Sequence, residues 1–541
     1  MDHGTASARS AEAFTLDTAP AAPITGSHRQ ERVLWRSAPS WWPLIAVLAV
    51  QAGLSLRLVR ADTAFQDEAA YLWAGHLEWA HWLHGAPVPP FSSYFSGSPV
   101  VYPPIAAIAD SIGGLTAARI LSLAFMLGAT ALLWGVTDRL YGHRAAFFAA
   151  ALFAALGPTL HLGAFATYDA MSVFLVALAA WCVVRAGDSG DQVGRMAAAG
   201  VALALANATA YSSALFDPVV ALLALLTAFP KPGGKTAARR IAILLVVVVT
   251  LLLIGLLIGG SSYLHGIDIT TLERASGAAS VPSVLADAFA WTGIVLVLAV
   301  CGVVASVVGR QGRPRTWLLG VLTIAAILGP LEQANLHTAA SLNKHVGLGA
   351  WFAAVVAGYA VDRFVVSAAA GRTRLLTSGA CALALVFPLS LGISQSWAFS
   401  TSWPNATSFI AIFRPLTDGT TGRLLVEDPS IAEYYLPAGS QWQRWSSTRN
   451  IVLPSGASSG GPSKSAGVVG PGNAGTFGLY IERHYFSIVA LNNTDTSALD
   501  LRIDADLRRW HYHVIQVVPY GIEVPPIGKG TYVIWQYEPP R

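Results

Sequence analysis

The sequence predicts an α-helical polytopic membrane protein, with about eleven transmembrane helices and a C-terminal external α/β domain. Three observations predict it. The 541 residues are 54% hydrophobic and 12% charged, with a mean hydropathy of +0.52, roughly half the charge of a soluble domain. Apolar runs close to the 20 or so residues that cross a bilayer recur from residue 41 to 396. Beyond that point the runs shorten and become rich in β-branched and aromatic residues.

The spans are expected near 41–59, 115–137, 144–161, 167–186, 193–210, 212–229, 238–260, 287–309, 315–331, 346–366 and 375–395. Basic residues fall on alternate connections: Arg139 and Arg144, Arg185 and Arg195, Lys235 and Arg239, Arg310 and Arg313, then Arg363 and Arg374. Such loops stay in the cytoplasm. An N-terminus inside, a C-terminal domain outside and a multi-pass protein of the plasma (inner) membrane follow. The net charge of +4 is then a topology signal. No basic patch with interleaved aromatics points to nucleic acid. Cys182, Cys301 and Cys381 all fall in expected spans, so the external domain folds without disulfides.

Three regions result. Residues 1–40, rich in Ala, Ser and Thr, read as a disordered cytoplasmic tail rather than a signal peptide. Residues 41–396 form the membrane domain and carry a long external loop, 60–114. Residues 397–541 form the external domain, with strands expected at 423–427, 486–491, 512–518 and 531–537 and a helix over 429–436. The Gly-, Ser- and Pro-rich stretch 454–475 reads as a mobile loop.

The acidic pair Asp67-Glu68 follows the first span and opens a Trp-rich helix running to about His84. Tryptophan at this density suits a helix in the membrane interface. Carboxylates beside lipid are costly and mark function, although Asp67 also fits a helix cap. His76 and His81 lie five apart, roughly 140° around a helix, which excludes the zinc-protease spacing. Tyr102, Pro103 and Pro104 precede the second span and fit either a stiff return to the membrane or part of a site. Asp169, after Tyr168, opens the fourth span on the same side as Asp67. Asn343, Lys344 and His345 stand at the outer end of the tenth span. There a lysine either snorkels to headgroups or binds a phosphate as a point charge.

These residues resemble the GT-C class of membrane glycosyltransferases, near glycosyltransferase family 39 and the protein O-mannosyltransferase-like proteins of actinobacteria. The matched features are Asp67-Glu68 with Tyr71, Pro103-Pro104, and Tyr168-Asp169 with the apolar residues after it. The likeness covers roughly residues 41–395. It implies a polyprenyl-phosphate sugar donor, an inverting transfer on the outer face, and a protein, lipid or cell-envelope glycan acceptor. By the same resemblance Asp67 is the general base and Glu68 assists the acceptor. Asp169 organises the acceptor or donor phosphate, with room for a divalent cation, and Lys344 and His345 meet the lipid phosphate. Where some relatives have a basic residue before the prolines, this chain has Val101 and Tyr102.

No Gly-rich nucleotide fingerprint occurs in a strand–helix context, which fits a lipid-linked donor. Two other classes stay in view. A lipid or glycan transporter would show repeats and broken mid-membrane helices. A non-catalytic glycan-binding scaffold would not need the acidic pair. Trp442, Trp445, Tyr480, Tyr485, Trp510 and Tyr512 fit either sugar stacking or an ordinary core.

Overall fold

Apolar sequence as long as a bilayer is thick folds as helix, because every backbone group must find its partner within its own segment. The helices are α1 (Trp42–Val59), α2 (Gln66–His84), α3 (Tyr102–Tyr141), α4 (His143–Ala154), α5 (Gly157–Leu162), α6 (Tyr168–Arg185), α7 (Gln192–Thr209), α8 (Asp217–Leu226), α9 (Gly234–Ile267), α10 (Val281–Val308), α11 (Arg313–Asn335), α12 (Leu342–Ala369) and α13 (Arg374–Phe399). This computed structural model describes residues 41–187, 191–228, 234–274, 276–369, 374–399, 402–452, 468–471, 474–493, 496–520 and 530–539. The expected tail, 1–40, lies outside them, as does 454–467. Residues from Leu44 onward pack as one unit.

Among the described residues, eight helices are long and apolar enough to cross a membrane: α1, α3, α6, α9, α10, α11, α12 and α13. The other three expected segments are helical but differ from single spans. Residues 144–161 divide into α4 and α5, because Gly157-Pro158 starts a new helix. Residues 212–229 divide into a 3₁₀ turn, Tyr211–Phe216, and α8, which Asp217-Pro218 opens. The 18 residues of α7 do not reach the apolarity of the eight.

Packing follows from side-chain size. Helix α12 is crowded with Gly and Ala, so neighbouring backbones approach closely. A side chain at Gly349 would strike the Ala325 carbonyl, and one at Gly358 the Ala145 carbonyl. Accordingly 72% of its spanning window is buried, against 11% for α9, which turns residues such as Leu253, Leu257 and Ile258 outward. In α3 the helix breaks at Gly113 and at Gly114, where φ is +65°. That left-handed conformation favours glycine. The break separates a short helix, 102–112, from a span that begins at 115, as expected.

The C-terminal domain adds α14 (Thr407–Asp418), α15 (Ser430–Tyr435), α16 (Ala474–Glu482) and α17 (Ser497–Arg509), with strands β1 (Arg423–Val426), β2 (Trp445–Ser446), β3 (Asn450–Val452), β4 (Val468–Pro471), β5 (Phe486–Leu491), β6 (Tyr512–Pro519) and β7 (Thr531–Tyr537). Four of these strands and α15 lie where the sequence predicts them. Within the expected loop, β4 pairs antiparallel with β3 instead. The main sheet has the order β2-β1-β5-β7-β6, with β2, β1 and β5 parallel and β7 antiparallel to both its neighbours. Alternation of period two sends Leu424, Val426, Ile488 and Ala490 to one core with Phe409 and Phe413. Leu425, Val489 and Leu491 face the other, with Phe477, Ile503 and Leu507. The domain is therefore a three-layer α/β/α unit.

Candidate active site

Three helix N-termini meet at the site. Phe65, in an extended conformation, ends the connection from α1, and Asp67 sits in the first turn of α2. Asp169 sits in the first turn of α6. Lys344 follows Ser341, whose φ is +60°, at the start of α12. Its ammonium donates to Asp67 Oδ2 and lies 4.0 Å from Asp169 Oδ2. Helix N-termini favour carboxylates, and the two acids compensate the buried lysine. Two carboxylates and one ammonium leave this cluster with a net charge of −1.

Asp67 and Lys344 face a cavity of about 680 Å³ whose wall also includes Asn343, His161, Trp291 and Trp403. Asp169 stands behind Lys344 and is 8% exposed. The sequence expectation named Asp67, Asp169, Asn343 and Lys344, and the structure brings Asp67, Asn343 and Lys344 to one cavity with Asp169 beside Lys344. It did not anticipate His161 or the two tryptophans, which come from segments remote in the chain.

Glu68 does not reach the cavity, contrary to the expectation that it assists the acceptor. It is fully buried, and Arg119 Nε and Nη2 donate to its two oxygens at 2.8 and 2.7 Å. The Ala166 amide donates to the same carboxylate at 2.7 Å. Arg119 Nη1 donates onward to the carbonyls of Val59 and Asp62 at 2.8 and 3.0 Å. The pair ties α2, α3, the end of α1 and the segment before α6 into one frame. The signal for Arg119 was present in the sequence as a lone arginine inside the apolar run from Leu115.

Several expected substrate contacts are instead supports. Tyr71 packs on Phe95, Tyr102 and Tyr168 with ring centroids 5.3, 6.1 and 4.7 Å away. Tyr102 is completely buried, its hydroxyl 3.5 Å from Ser122 Oγ. Pro103 and Pro104 begin α3 and offer their carbonyls to α2. Trp79 Nε1 donates to Pro104 at 2.9 Å, and a side chain at Gly75 would overlap the Pro103 carbonyl. His345 turns toward α11, where its Nδ1 lies 3.1 Å from Gln333 Nε2 and 3.5 Å from Glu332. One helical step from Lys344 rotates it away from the cavity.

The C-terminal domain is clasped to loop 60–114. Trp73 Nε1 donates to the Gly439 carbonyl and Trp442 Nε1 to that of Pro87, both at 3.0 Å. Tyr434 donates to Asp110 at 2.7 Å, and His76 Nε2 lies 2.7 Å from the other oxygen of Asp110. Trp442, Trp445 and Tyr512 are buried, so they serve packing. Burial pushes the Glu433 carboxyl, on α15, well above the usual range, and nearby Asp428 adds to the shift. A divalent cation does not fit the acidic cluster: the Lys344 ammonium already lies between its two carboxylates. Among the described residues no three His, Cys, Asp or Glu side chains form a cation cage.

Solved structures share this architecture. ArnT from Cupriavidus metallidurans in the apo state matches with a TM-score of 0.57 at 15% identity, over 92% of this chain and 98% of that one. The same protein bound to undecaprenyl phosphate gives 0.58 at 15% identity, over 92% and 98%. The oligosaccharyltransferase AglB from Archaeoglobus fulgidus, in complex with an inhibitory peptide and a dolichol-phosphate, gives 0.51 at 14% identity, over 92% and 74%. The chain therefore has the fold of the GT-C membrane glycosyltransferases. More particularly, residues 98–258 match the family model described as dolichyl-phosphate-mannose-protein mannosyltransferase. No curated protein sequence matches the chain significantly.

Proposed function

We propose that this chain is an inverting glycosyltransferase that moves a sugar from a polyprenyl-phosphate donor to a protein, lipid or cell-envelope glycan acceptor at the outer membrane face. The observation that carries the reading is the Asp67–Lys344–Asp169 cluster at the cavity. An acceptor hydroxyl gives its proton to Asp67, and its oxygen attacks the anomeric carbon opposite the phosphate. The bond from that carbon to the phosphate oxygen breaks, and its electron pair leaves with the polyprenyl phosphate. Lys344 meets the charge on the leaving group. As its ammonium moves onto the arriving phosphate, the Asp67 carboxylate is released to take the proton. Glu68, through Arg119, is a positioning residue, and Asp169 holds Lys344 in place.

The sidedness has its own support. Asp169 and Arg185 stand at opposite ends of α6, and Lys344 and Arg363 lie in opposite parts of α12. With the basic ends in the cytoplasm, the cluster and the external domain face outward.

The test is transfer of labelled sugar from a panel of polyprenyl-phosphate sugars by the full chain in lipid, beside Asp67→Asn. The variant should lose roughly 10²–10⁴-fold in turnover while still binding donor. Normal turnover in Asp67→Asn removes it as the base, and no turnover with any donor and supplied envelope acceptors overturns the reading.

A further inference from the structure

His161 is 6% exposed and lines the same cavity as Lys344. Its ring is held by aromatic neighbours, with centroids 4.4 Å from Phe399 and 4.7 Å from Phe165. Nδ1 is sealed among these rings with no hydrogen-bond partner. Nε2 is then the ring nitrogen with access to the cavity. A neutral imidazole carries one donor and one acceptor. A buried bare acceptor is tolerated better than an orphaned N–H, so the proton resides on Nε2 and Nδ1 keeps its lone pair. The result is a rigid, uncharged donor aimed into the cavity.

The chemistry of the other wall groups shows what it meets. Sugar hydroxyls both donate and accept, and Asp67 can receive them. Phosphate oxygens only accept, and they approach a cluster already carrying a net negative charge, so they need donors. Trp403 Nε1 is committed to the Thr63 carbonyl at 3.0 Å and Gln395 Nε2 to that of Ala290 at 2.9 Å. Lys344 is shared with Asp67. The His161 Nε2–H has no such commitment, a freedom it shares on this wall with Trp291 Nε1 and Asn343 Nδ2.

We propose that His161 binds the phosphate of the lipid-linked substrate, its Nε2–H donating to a phosphate oxygen beside Lys344. This rests on the polyprenyl-phosphate reading above, and it assigns to His161 the contact that the sequence suggested for His345.

The experiment is equilibrium binding of a sugar-free polyprenyl phosphate, and separately of the sugar-loaded donor, to the full chain in lipid nanodiscs. His161→Phe keeps the aromatic packing without the donor, whereas His161→Gln returns an amide N–H at similar reach. A hydrogen bond to a charged group predicts that His161→Phe weakens sugar-free carrier binding roughly tenfold or more. His161→Gln should stay near wild type. Should the Phe variant fail to fold, His161→Leu is the donor-free comparison. Equal carrier binding by wild type and the donor-free variant, or equal losses in the Gln and Phe variants, overturns the proposal in favour of packing. A loss confined to the sugar-loaded donor also overturns it, moving the bond to the sugar. Wild type that binds neither ligand overturns the underlying function instead.

Discussion

Glu68 and Arg119 form a two-pronged ion pair that is closed to solvent, with exposures of 0% and 1%. The pair sits one residue from Asp67, so the rigidity of α2 at the cavity derives from a contact 51 residues away in sequence. Removing one partner leaves an uncompensated buried charge, which typically costs about 3–5 kcal/mol. Glu68→Gln and Arg119→Met should each lower the thermal unfolding temperature in detergent. Combining them should recover part of the loss. Additive losses in the double variant would show that the two residues act separately.

Gly75 decides how closely α2 approaches α3. A Cβ there would lie 2.0 Å from the Pro103 carbonyl oxygen and 2.8 Å from the Ala107 methyl. Gly75→Ala should destabilise the protein by about 1–3 kcal/mol through overpacking and reduce transfer by shifting Asp67. Thermal unfolding and donor turnover check both effects, and an unperturbed melting temperature would mean that the helices separate without cost.

Lys344 compensates two acids and, in the proposed reaction, the phosphate. Lys344→Met should mainly weaken donor affinity, by about tenfold or more, with Lys344→Arg intermediate. The measurement is donor binding together with KM and kcat. Unchanged donor affinity in the Met variant removes Lys344 from the phosphate site.

Glu433 titrates above the ordinary carboxyl value of 4.5 because folding buries it. The folded chain keeps a proton that the unfolded chain has released. Its contribution to stability is therefore complete below about pH 4.5 and is lost as pH rises toward the folded value, by at most about 1.4 kcal/mol per pH unit. Glu433→Gln should be more stable than wild type at pH 7.5 and indistinguishable from it at pH 4. Parallel stability curves for the two proteins would remove Glu433 as the titrating group.

The legible parts of this protein were the locally encoded ones. The spans at 41–59 and 287–309 are visible because a run of apolar residues forms helix wherever it lies. Strands β5 and β7 are visible because a short run rich in β-branched and aromatic residues marks a strand within a handful of positions. Asp67, Asp169 and Lys344 stood out because a charge at the end of an apolar run is costly, and their common side followed from the basic loops. Helix breaks such as Gly157-Pro158 were written in the sequence but concealed by the apolarity on either side.

The sequence by itself determined the eight long apolar helices and strands β1, β5, β6 and β7, and it singled out Asp67, Asp169 and Lys344. Only the tertiary structure decided that Glu68 is a brace, because its function depends on Arg119, a partner brought in by α3. It also decided that His161 rather than His345 meets the cavity. A single step along a helix turns a side chain by about 100°, and the direction it then faces depends on how that helix is rotated against its neighbours.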